Sequence, residues 1–190
     1  MLSGLGEWPL LNLGGGLGVA YTAEDDPPSV EDYADALLRH VPDGVTVLTE
    51  PGRALVANAG VTLYTVGTVK RIAGVRTYVA VDGGMSDNLR PMLYGARYEA
   101  EIADRFTAGG ELCTVAGMHC ESGDVLVRDV ELADPRPGDV LVTPATGAYG
   151  HAMANNYNAV PRPPVIFCRE GDARLVVRRE TYSDLSARDA

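Results

Sequence analysis

Residues 9–18 read PLLNLGGGLG, a short apolar run that stops at a glycine-rich loop. This pattern is typical of a buried strand that ends in a loop. Ser29 predicts a helix N-cap, and apolar residues then recur at helical spacing until Pro42-Asp43-Gly44. A second apolar run, Val45–Thr49, predicts another buried strand. Strand, glycine loop, helix and strand in this order predict a βαβ unit from a parallel sheet or barrel.

After Arg53 the sequence changes to β-branched runs separated by turns, which predict an antiparallel β-sandwich or β-barrel. We therefore expect an α/β part followed by an all-β part. The boundary falls near residues 54–60, giving domains 1–54 and 55–190. The predicted strands of the second domain are Val61–Ile72, Arg76–Val81, Leu112–Gly117, Asp124–Val130, Asp139–Thr143, Val165–Arg169 and Leu175–Glu180.

The composition excludes several classes of protein. Of the 190 residues, 46% are hydrophobic, and the formal net charge is −10, which disfavours nucleic acid and anionic membranes as partners. The odd set Cys113, Cys120 and Cys168 lacks metal-ligand spacing and argues against a disulfide framework. The sequence shows no signal pattern and no apolar run long enough to cross a bilayer. We therefore expect a cytoplasmic protein without a metal site.

Two motifs follow the predicted strands of the first domain. The glycines of Gly14–Gly18 would let backbone amides approach a phosphate, although a plain tight turn uses the same residues. The loop does not fit a dinucleotide fingerprint, because no further glycine stands at position 19 or 21. Glu50-Pro51-Gly52-Arg53 directs a carboxylate and a guanidinium to the strand end where such folds bind ligands. A surface ion pair between Glu50 and Arg53 is the alternative.

Further candidate residues lie in the second domain. The segment HCESGD, residues 119–124, places the thiol of Cys120 beside an acid in a glycine turn, where it could donate a proton. Free cysteines also serve as small buried apolar residues. Arg90 and Tyr94 are four residues apart, a spacing that puts both on one face of a helix. Tyr149 stands among small residues, either near a ligand or as a packed aromatic side chain at a bend.

In this order, the motifs GGGLG, EPGR, DGGMSDNLRPMLYG, HCESGD and TGAYG resemble the diaminopimelate decarboxylase family of alanine-racemase-like pyridoxal-phosphate enzymes. The resemblance spans roughly residues 10–182. It implies the C-terminal piece of a (β/α)8 barrel that binds pyridoxal 5'-phosphate, followed by a β-domain, with a possible return of the last segment to the barrel. It also implies decarboxylation of meso-2,6-diaminopimelate to L-lysine.

The resemblance implies a role for each candidate residue. Cys120 is similar to the family's catalytic thiol, which donates a proton after carbon dioxide leaves and reaches the active site from the partner subunit of a homodimer. Glu50 would face the pyridine nitrogen and keep it protonated. The implied cofactor contacts are Gly14, Gly15, Gly16, Glu50, Gly52, Arg53 and Tyr149. The implied substrate contacts are Arg53, Arg90, Tyr94, Glu121 and Tyr149.

One departure from the family is large. Family members carry earlier barrel elements with a lysine that bonds to the cofactor, and Lys70 does not match that position. We therefore expect a gene fragment, a truncated form or one part of a split enzyme, with a missing N-terminal barrel half as a partner and no activity alone. Two alternatives stay open: a non-catalytic remnant or regulatory partner, and a decarboxylase of ornithine or arginine. Glu121 and Arg90 argue against the second.

Overall fold

The computed structural model describes residues 10–106 and 109–189. Its first part contains β1 (Leu10–Asn12), α1 (Val30–Leu38) and β2 (Thr46–Leu48), and the two strands pair in parallel. The Ser29 hydroxyl accepts a hydrogen bond from the Asp32 amide at 3.0 Å and caps α1, as predicted. The predicted strand, helix and strand are therefore present. Residues 1–9, which include Pro9 of the predicted first strand, lie outside the described ranges.

The second part is built around one sheet. Its elements are α2 (Gly52–Val56), β3 (Thr62–Ile72), β4 (Arg76–Val81), α3 (Arg90–Tyr94), β5 (Glu101–Ile102), β6 (Glu111–Ala116), β7 (Val125–Leu132) and β8 (Val140–Thr143). The strand order is β5, β8, β3, β4, β6, β7. The edge strands β5 and β7 also contact each other, so the six-stranded sheet is nearly closed.

The sheet is mixed, which corrects the antiparallel prediction. Four of its five neighbouring strand pairs are antiparallel, but β4 and β6 run parallel. A parallel pair needs a crossover of about a dozen residues or more, and the long connection over residues 82–110 provides it. The sequence of a strand does not determine which other strand it pairs with. The β-branched runs therefore predicted the strands but not this parallel pairing.

The hydrophobic core lies inside this sheet. Val79 of β4, Val115 of β6 and Leu141 of β8 are fully buried, and burial of such a side chain stabilises the fold by about 1.5–3 kcal/mol. Cys113 of β6 belongs to the same core, and burial raises the pKa of its thiol to about 11. Cys113 is therefore a protonated core residue, in contrast to the exposed Cys120. The three cysteines are free, as predicted.

The C-terminal elements are a hairpin of β9 (Val165–Arg169) and β10 (Asp172–Val177), followed by α4 (Tyr182–Leu185). The observed β10 therefore begins and ends three residues earlier than the predicted strand Leu175–Glu180. Glu170 and Gly171 both have positive φ, 53° and 88°, which is the geometry of a two-residue hairpin turn. None of the helices in the described ranges combines the length and apolar content needed to cross a membrane.

Candidate functional site

The glycine loop and Glu50 meet at the carboxyl ends of β1 and β2. The Glu50 amide donates a hydrogen bond to the Gly14 carbonyl at 2.7 Å. A Cβ on Gly15 would overlap the Glu50 carbonyl oxygen, so glycine is required at this close approach. Gly14 and Gly16 have positive φ, and a Cβ on either would meet no atom within 4 Å. The loop is therefore held against Glu50 while its outer side stays open. We call Gly14, Gly15, Gly16 and Glu50 the glycine-loop group.

Asn12 fixes the side chain of Glu50. Its Nδ2 donates to Glu50 Oε1 at 2.6 Å, and its Oδ1 accepts from the Gly14 amide at 2.8 Å. The alternative ion pair between Glu50 and Arg53 is absent from the described residues. Asn12 was not among the residues predicted from the sequence, although a polar residue inside an apolar run just before a glycine loop was a usable signal.

Gly52 and Arg53 open α2, and the chain after α2 packs backbone to backbone against the loop that carries Tyr149. The Gly147 amide donates to the Ala57 carbonyl at 3.0 Å, and a Cβ on Gly147 would overlap the Val56 carbonyl oxygen. Tyr149 itself has a φ of 61°. A left-handed backbone is costly for an aromatic residue and is found preferentially at functional sites. This contact joins the chain at the end of α2, just after the EPGR segment, to the loop that carries Tyr149.

Replacing Gly147 with alanine is expected to lower the free energy of unfolding by about 1–3 kcal/mol, because the new methyl group would push apart two backbone segments. Gly67→Ala is the matched control, since a Cβ there would lie 3.7 Å from the Ala80 carbonyl oxygen. Urea unfolding of the two variants and the unmodified chain measures the difference. Equal midpoints for Gly147→Ala and Gly67→Ala would contradict the close packing.

Arg90 lies in a cluster of tyrosines at the start of α3. Its guanidinium carbon is 4.6 Å from the ring centroid of Tyr21 and 5.8 Å from that of Tyr149. Its Nη1 donates to the Tyr98 hydroxyl at 2.5 Å. Arg90 is buried, and within the described residues no carboxylate forms an ion pair with it. We call these four residues the Arg90 cluster, and its free guanidinium donors suit an anion such as a carboxylate.

The predicted helical spacing of Arg90 and Tyr94 is present in α3, but the two side chains differ in environment. Arg90 is buried, whereas Tyr94 at the other end of the helix is 65% exposed. Tyr21 and Tyr98 were not predicted from the sequence as site residues. Neither stands in a recognisable motif, and only the fold brings them to Arg90.

The segment His119–Asp124, here called the cysteine turn, is held by the carboxylate of Asp124. Asp124 is 3% exposed and accepts hydrogen bonds from the His119 and Met85 amides, both at 2.7 Å. A Cβ on Gly117 would overlap the same carboxylate. Asp124 therefore joins the cysteine turn to the loop over residues 82–88, which contains Met85. The charge-assisted hydrogen bonds make this junction stiff.

The cysteine turn presents Cys120 and Glu121 side by side at the surface. The Tyr157 hydroxyl donates a hydrogen bond to Glu121 Oε1, and this bond raises the pKa of the Tyr157 phenol. Tyr157, which the sequence analysis also missed, packs its ring at 5.4 Å from the ring of the buried His119. Among the described residues, no hydrogen bond or ion pair links the cysteine turn to the glycine-loop group. Within the described residues, the cysteine turn and the glycine-loop group are therefore not joined by a direct polar contact.

Comparison with known proteins gives consistent matches. Residues 20–147 match the family described as pyridoxal-dependent decarboxylase, C-terminal sheet domain. The diaminopimelate decarboxylase of Bacillus subtilis (strain 168) is 49% identical over 185 residues, covering 93% of this chain and 42% of that protein. The crystal structure of diaminopimelate decarboxylase from M. jannaschii has a TM-score of 0.90 and 39% identity, covering 100% of this chain and 45% of that one. The crystal structure of the same enzyme in co-complex with L-lysine has a TM-score of 0.89 and 38% identity, and it covers the same shares of the two chains.

The chain spans about two fifths of the length of the Bacillus subtilis relative. The family match nevertheless covers more than half of the 190 residues and includes all strands of the six-stranded sheet. It begins after β1 and the glycine loop. The family resemblance inferred from the five motifs is confirmed. The chain belongs to the pyridoxal-dependent decarboxylases that share this C-terminal sheet domain.

Proposed function

We propose that the chain is the C-terminal part of a decarboxylase that converts meso-2,6-diaminopimelate to L-lysine and carbon dioxide in the cytoplasm. The observation that carries the proposal is the stiff turn that presents Cys120 beside Glu121 at the surface. It occurs in a chain that is 49% identical to a diaminopimelate decarboxylase. A proton donor next to a carboxylate suits decarboxylation of a substrate that carries a second amino group.

We propose further that residues 1–54 form the end of a (β/α)8 barrel and residues 55–190 the β-domain. Exposed apolar residues support this division. Leu10 of β1 is 51% exposed, Leu48 of β2 is 45% exposed, and α1 has no buried residue. Further barrel elements would cover these surfaces. The β9–β10 hairpin also exposes apolar side chains such as Phe167, as expected if the last segment returns to the barrel.

The glycine-loop group fits pyridoxal 5'-phosphate. Gly14 and Gly16 leave open space above a backbone that would approach a phosphate, and the Glu50 carboxylate is held next to them by Asn12. Glu50 would hold a proton on the pyridine nitrogen. The bound cofactor supplies the electron sink that decarboxylation requires. Gly52, Arg53 and Tyr149 would form further contacts with the cofactor. The lysine that bonds to the cofactor would come from the N-terminal part of the enzyme.

The substrate would bind between the Arg90 cluster of one chain and the cysteine turn of its partner chain. Arg90 is suited to a substrate carboxylate, with Arg53, Tyr94 and Tyr149 as further contacts. Glu121 would accept a hydrogen bond from the distal ammonium group. Cys120 would deliver a proton to the carbon atom that has lost carbon dioxide.

The active site is proposed to be shared between the two chains of a homodimer. Cys120 and Glu121 are exposed, and the cysteine turn makes no hydrogen bond to the glycine-loop group of its own chain in the described residues. A partner chain would bring the two sets together. This arrangement also accounts for the need to hold the turn stiffly, because it must dock as a unit.

The proposal is tested with a fused enzyme, in which the N-terminal part of Bacillus subtilis diaminopimelate decarboxylase that this chain does not cover precedes the chain. Glu121→Asp in this enzyme is expected to lower kcat/KM for meso-diaminopimelate by about 10- to 100-fold, because the shorter side chain withdraws a charge-assisted hydrogen bond. The matched control Glu131→Asp changes an exposed acid on β7 and should leave kcat/KM unchanged.

The substrates compared are meso-diaminopimelate, ornithine and arginine. A higher kcat/KM of the unmodified fused enzyme for ornithine or arginine would contradict the diaminopimelate assignment. An equal loss in Glu121→Asp and Glu131→Asp would remove the role of Glu121. A fused enzyme that binds the cofactor but turns over none of the three substrates would favour a non-catalytic chain.

A further inference from the structure

The loop that carries Tyr157 is anchored at its start. The Asn155 amide donates to the Ser86 carbonyl at 2.9 Å, and Asn155 Oδ1 accepts from the Tyr157 amide at 3.0 Å. Ser86 is fully buried, and its Oγ lies 2.9 Å from His119 Nε2. The backbone of Tyr157 is therefore fixed relative to the same residues that support the cysteine turn.

The loop is also anchored at its end, by Glu180 after β10. Its carboxylate accepts hydrogen bonds from Asn156 Nδ2 at 2.6 Å and from the Arg162 amide at 2.9 Å. Hydrogen bonds from Arg162 lower the pKa of Glu180 to about 2, so the anchor stays ionised at neutral pH. Between the two anchors, Asn158 and Ala159 have φ values of 54° and 56°. Such left-handed residues persist only where surrounding contacts hold them, so the loop has one defined shape.

This loop places the Tyr157 side chain between two groups of the cysteine turn. Its ring lies 5.4 Å from the ring of His119, and its hydroxyl donates to Glu121 Oε1. Glu121 is exposed, and an exposed glutamate otherwise samples many rotamers. Because Tyr157 occupies Oε1, the other carboxylate oxygen is left to accept a hydrogen bond from a ligand.

We propose that Tyr157 is a positioning residue that fixes the Glu121 carboxylate for the distal ammonium group of the substrate, and so contributes to substrate selectivity. The inference rests on the proposed function, which assigns the distal end of the substrate to Glu121. Tyr157 does not touch the reacting carbon. Its contribution is to binding, since it holds Glu121 in place before the substrate arrives.

Tyr157→Phe in the fused enzyme keeps the ring next to His119 and removes only the hydroxyl. The KM for meso-diaminopimelate is expected to rise about 2- to 10-fold, which corresponds to the loss of one hydrogen bond, with kcat unchanged. The inhibition constant of L-lysine, which retains the distal amino-acid group, should rise by the same factor. Tyr182→Phe, at a residue that is 77% exposed on α4, is the matched control and should change neither constant.

A double-mutant cycle separates positioning from a structural role. In a Glu121→Ala background, Tyr157→Phe should raise KM no further, because its acceptor is gone. An equal rise in both backgrounds would overturn the proposal, as would an unchanged KM for Tyr157→Phe alone. Thermal unfolding should give the same Tm for Tyr157→Phe and the unmodified enzyme.

A measurement on the 190-residue chain keeps the test independent of turnover. Titration of 13Cζ-labelled tyrosines by NMR should give Tyr157 a pKa above that of an ordinary tyrosine, and Glu121→Ala should lower this pKa, because the hydrogen bond to Glu121 is the largest cause of the elevation. An identical pKa in both proteins would show that the hydrogen bond is absent, and the proposal would fail. Failure of the proposed function would give a different result. The unmodified fused enzyme would then form no L-lysine, although Glu121→Ala would still lower the pKa of Tyr157.

Discussion

Cys120→Ala in the fused enzyme is expected to lower kcat for meso-diaminopimelate by about 10²- to 10⁴-fold, the usual contribution of a positioned proton donor. The thiol lies on a turn held by the buried Asp124, so its removal leaves the supporting hydrogen bonds to His119 and Met85 in place. Cofactor binding uses the glycine-loop group, and the cofactor absorbance should therefore stay unchanged. Steady-state kinetics and absorbance spectra of the same preparation measure both quantities.

The matched control is Cys168→Ala, because Cys168 is also an exposed, free cysteine but lies on β9. It should keep the kcat of the unmodified enzyme. Cys113 is unsuitable as a control, since it belongs to the core and its replacement would leave a cavity. A kcat for Cys120→Ala equal to that of Cys168→Ala would remove the proposed role of Cys120.

Glu50→Gln is expected to lower kcat by about 10²- to 10³-fold, comparable with the loss of one preorganised electrostatic contact in other active sites. Glutamine keeps an oxygen that can accept the hydrogen bond from Asn12, so the geometry at the ends of β1 and β2 should persist. The substitution removes the charge that would hold a proton on the pyridine nitrogen. The loss should therefore appear in kcat and only weakly in the dissociation constant of the cofactor.

Glu31→Gln on the first turn of α1 is the control for the removal of one negative charge from an exposed site. Turnover and cofactor titration of both variants test the assignment. If Glu50→Gln retained the kcat of Glu31→Gln, the carboxylate of Glu50 would have no part in the chemistry. A large loss of cofactor affinity without a loss in kcat at saturating cofactor would assign Glu50 to binding alone.

Local signals allowed much of the fold to be predicted. The β-branched run over Arg76–Val81 predicted β4 with its observed bounds, and Ser29 marked the start of α1 because its hydroxyl caps the helix. The hairpin turn at Glu170 and Gly171 was missed, which displaced β10. The parallel pairing of β4 with β6 was also missed, because it depends on the path of the chain between them.

In the candidate site, too, some residues could be predicted from local sequence and others could not. Motif residues such as Cys120 and Glu121 were visible in the sequence because they are adjacent. Their supporting residues were not, because Tyr157 reaches Glu121 and Tyr98 reaches Arg90 only through the folded chain. Local sequence patterns carry the groups proposed to perform the chemistry, whereas the residues that hold those groups in place come from contacts between distant segments.

We propose that this chain completes an enzyme that forms L-lysine from meso-diaminopimelate. The most direct measurement is the yield of L-lysine and carbon dioxide from meso-diaminopimelate by the purified fused enzyme with pyridoxal 5'-phosphate. We expect equal molar amounts of the two products, and a much lower yield of both in the same reaction time when Cys120 is replaced with alanine. A folded fused enzyme that binds the cofactor yet releases no L-lysine would contradict the proposed function.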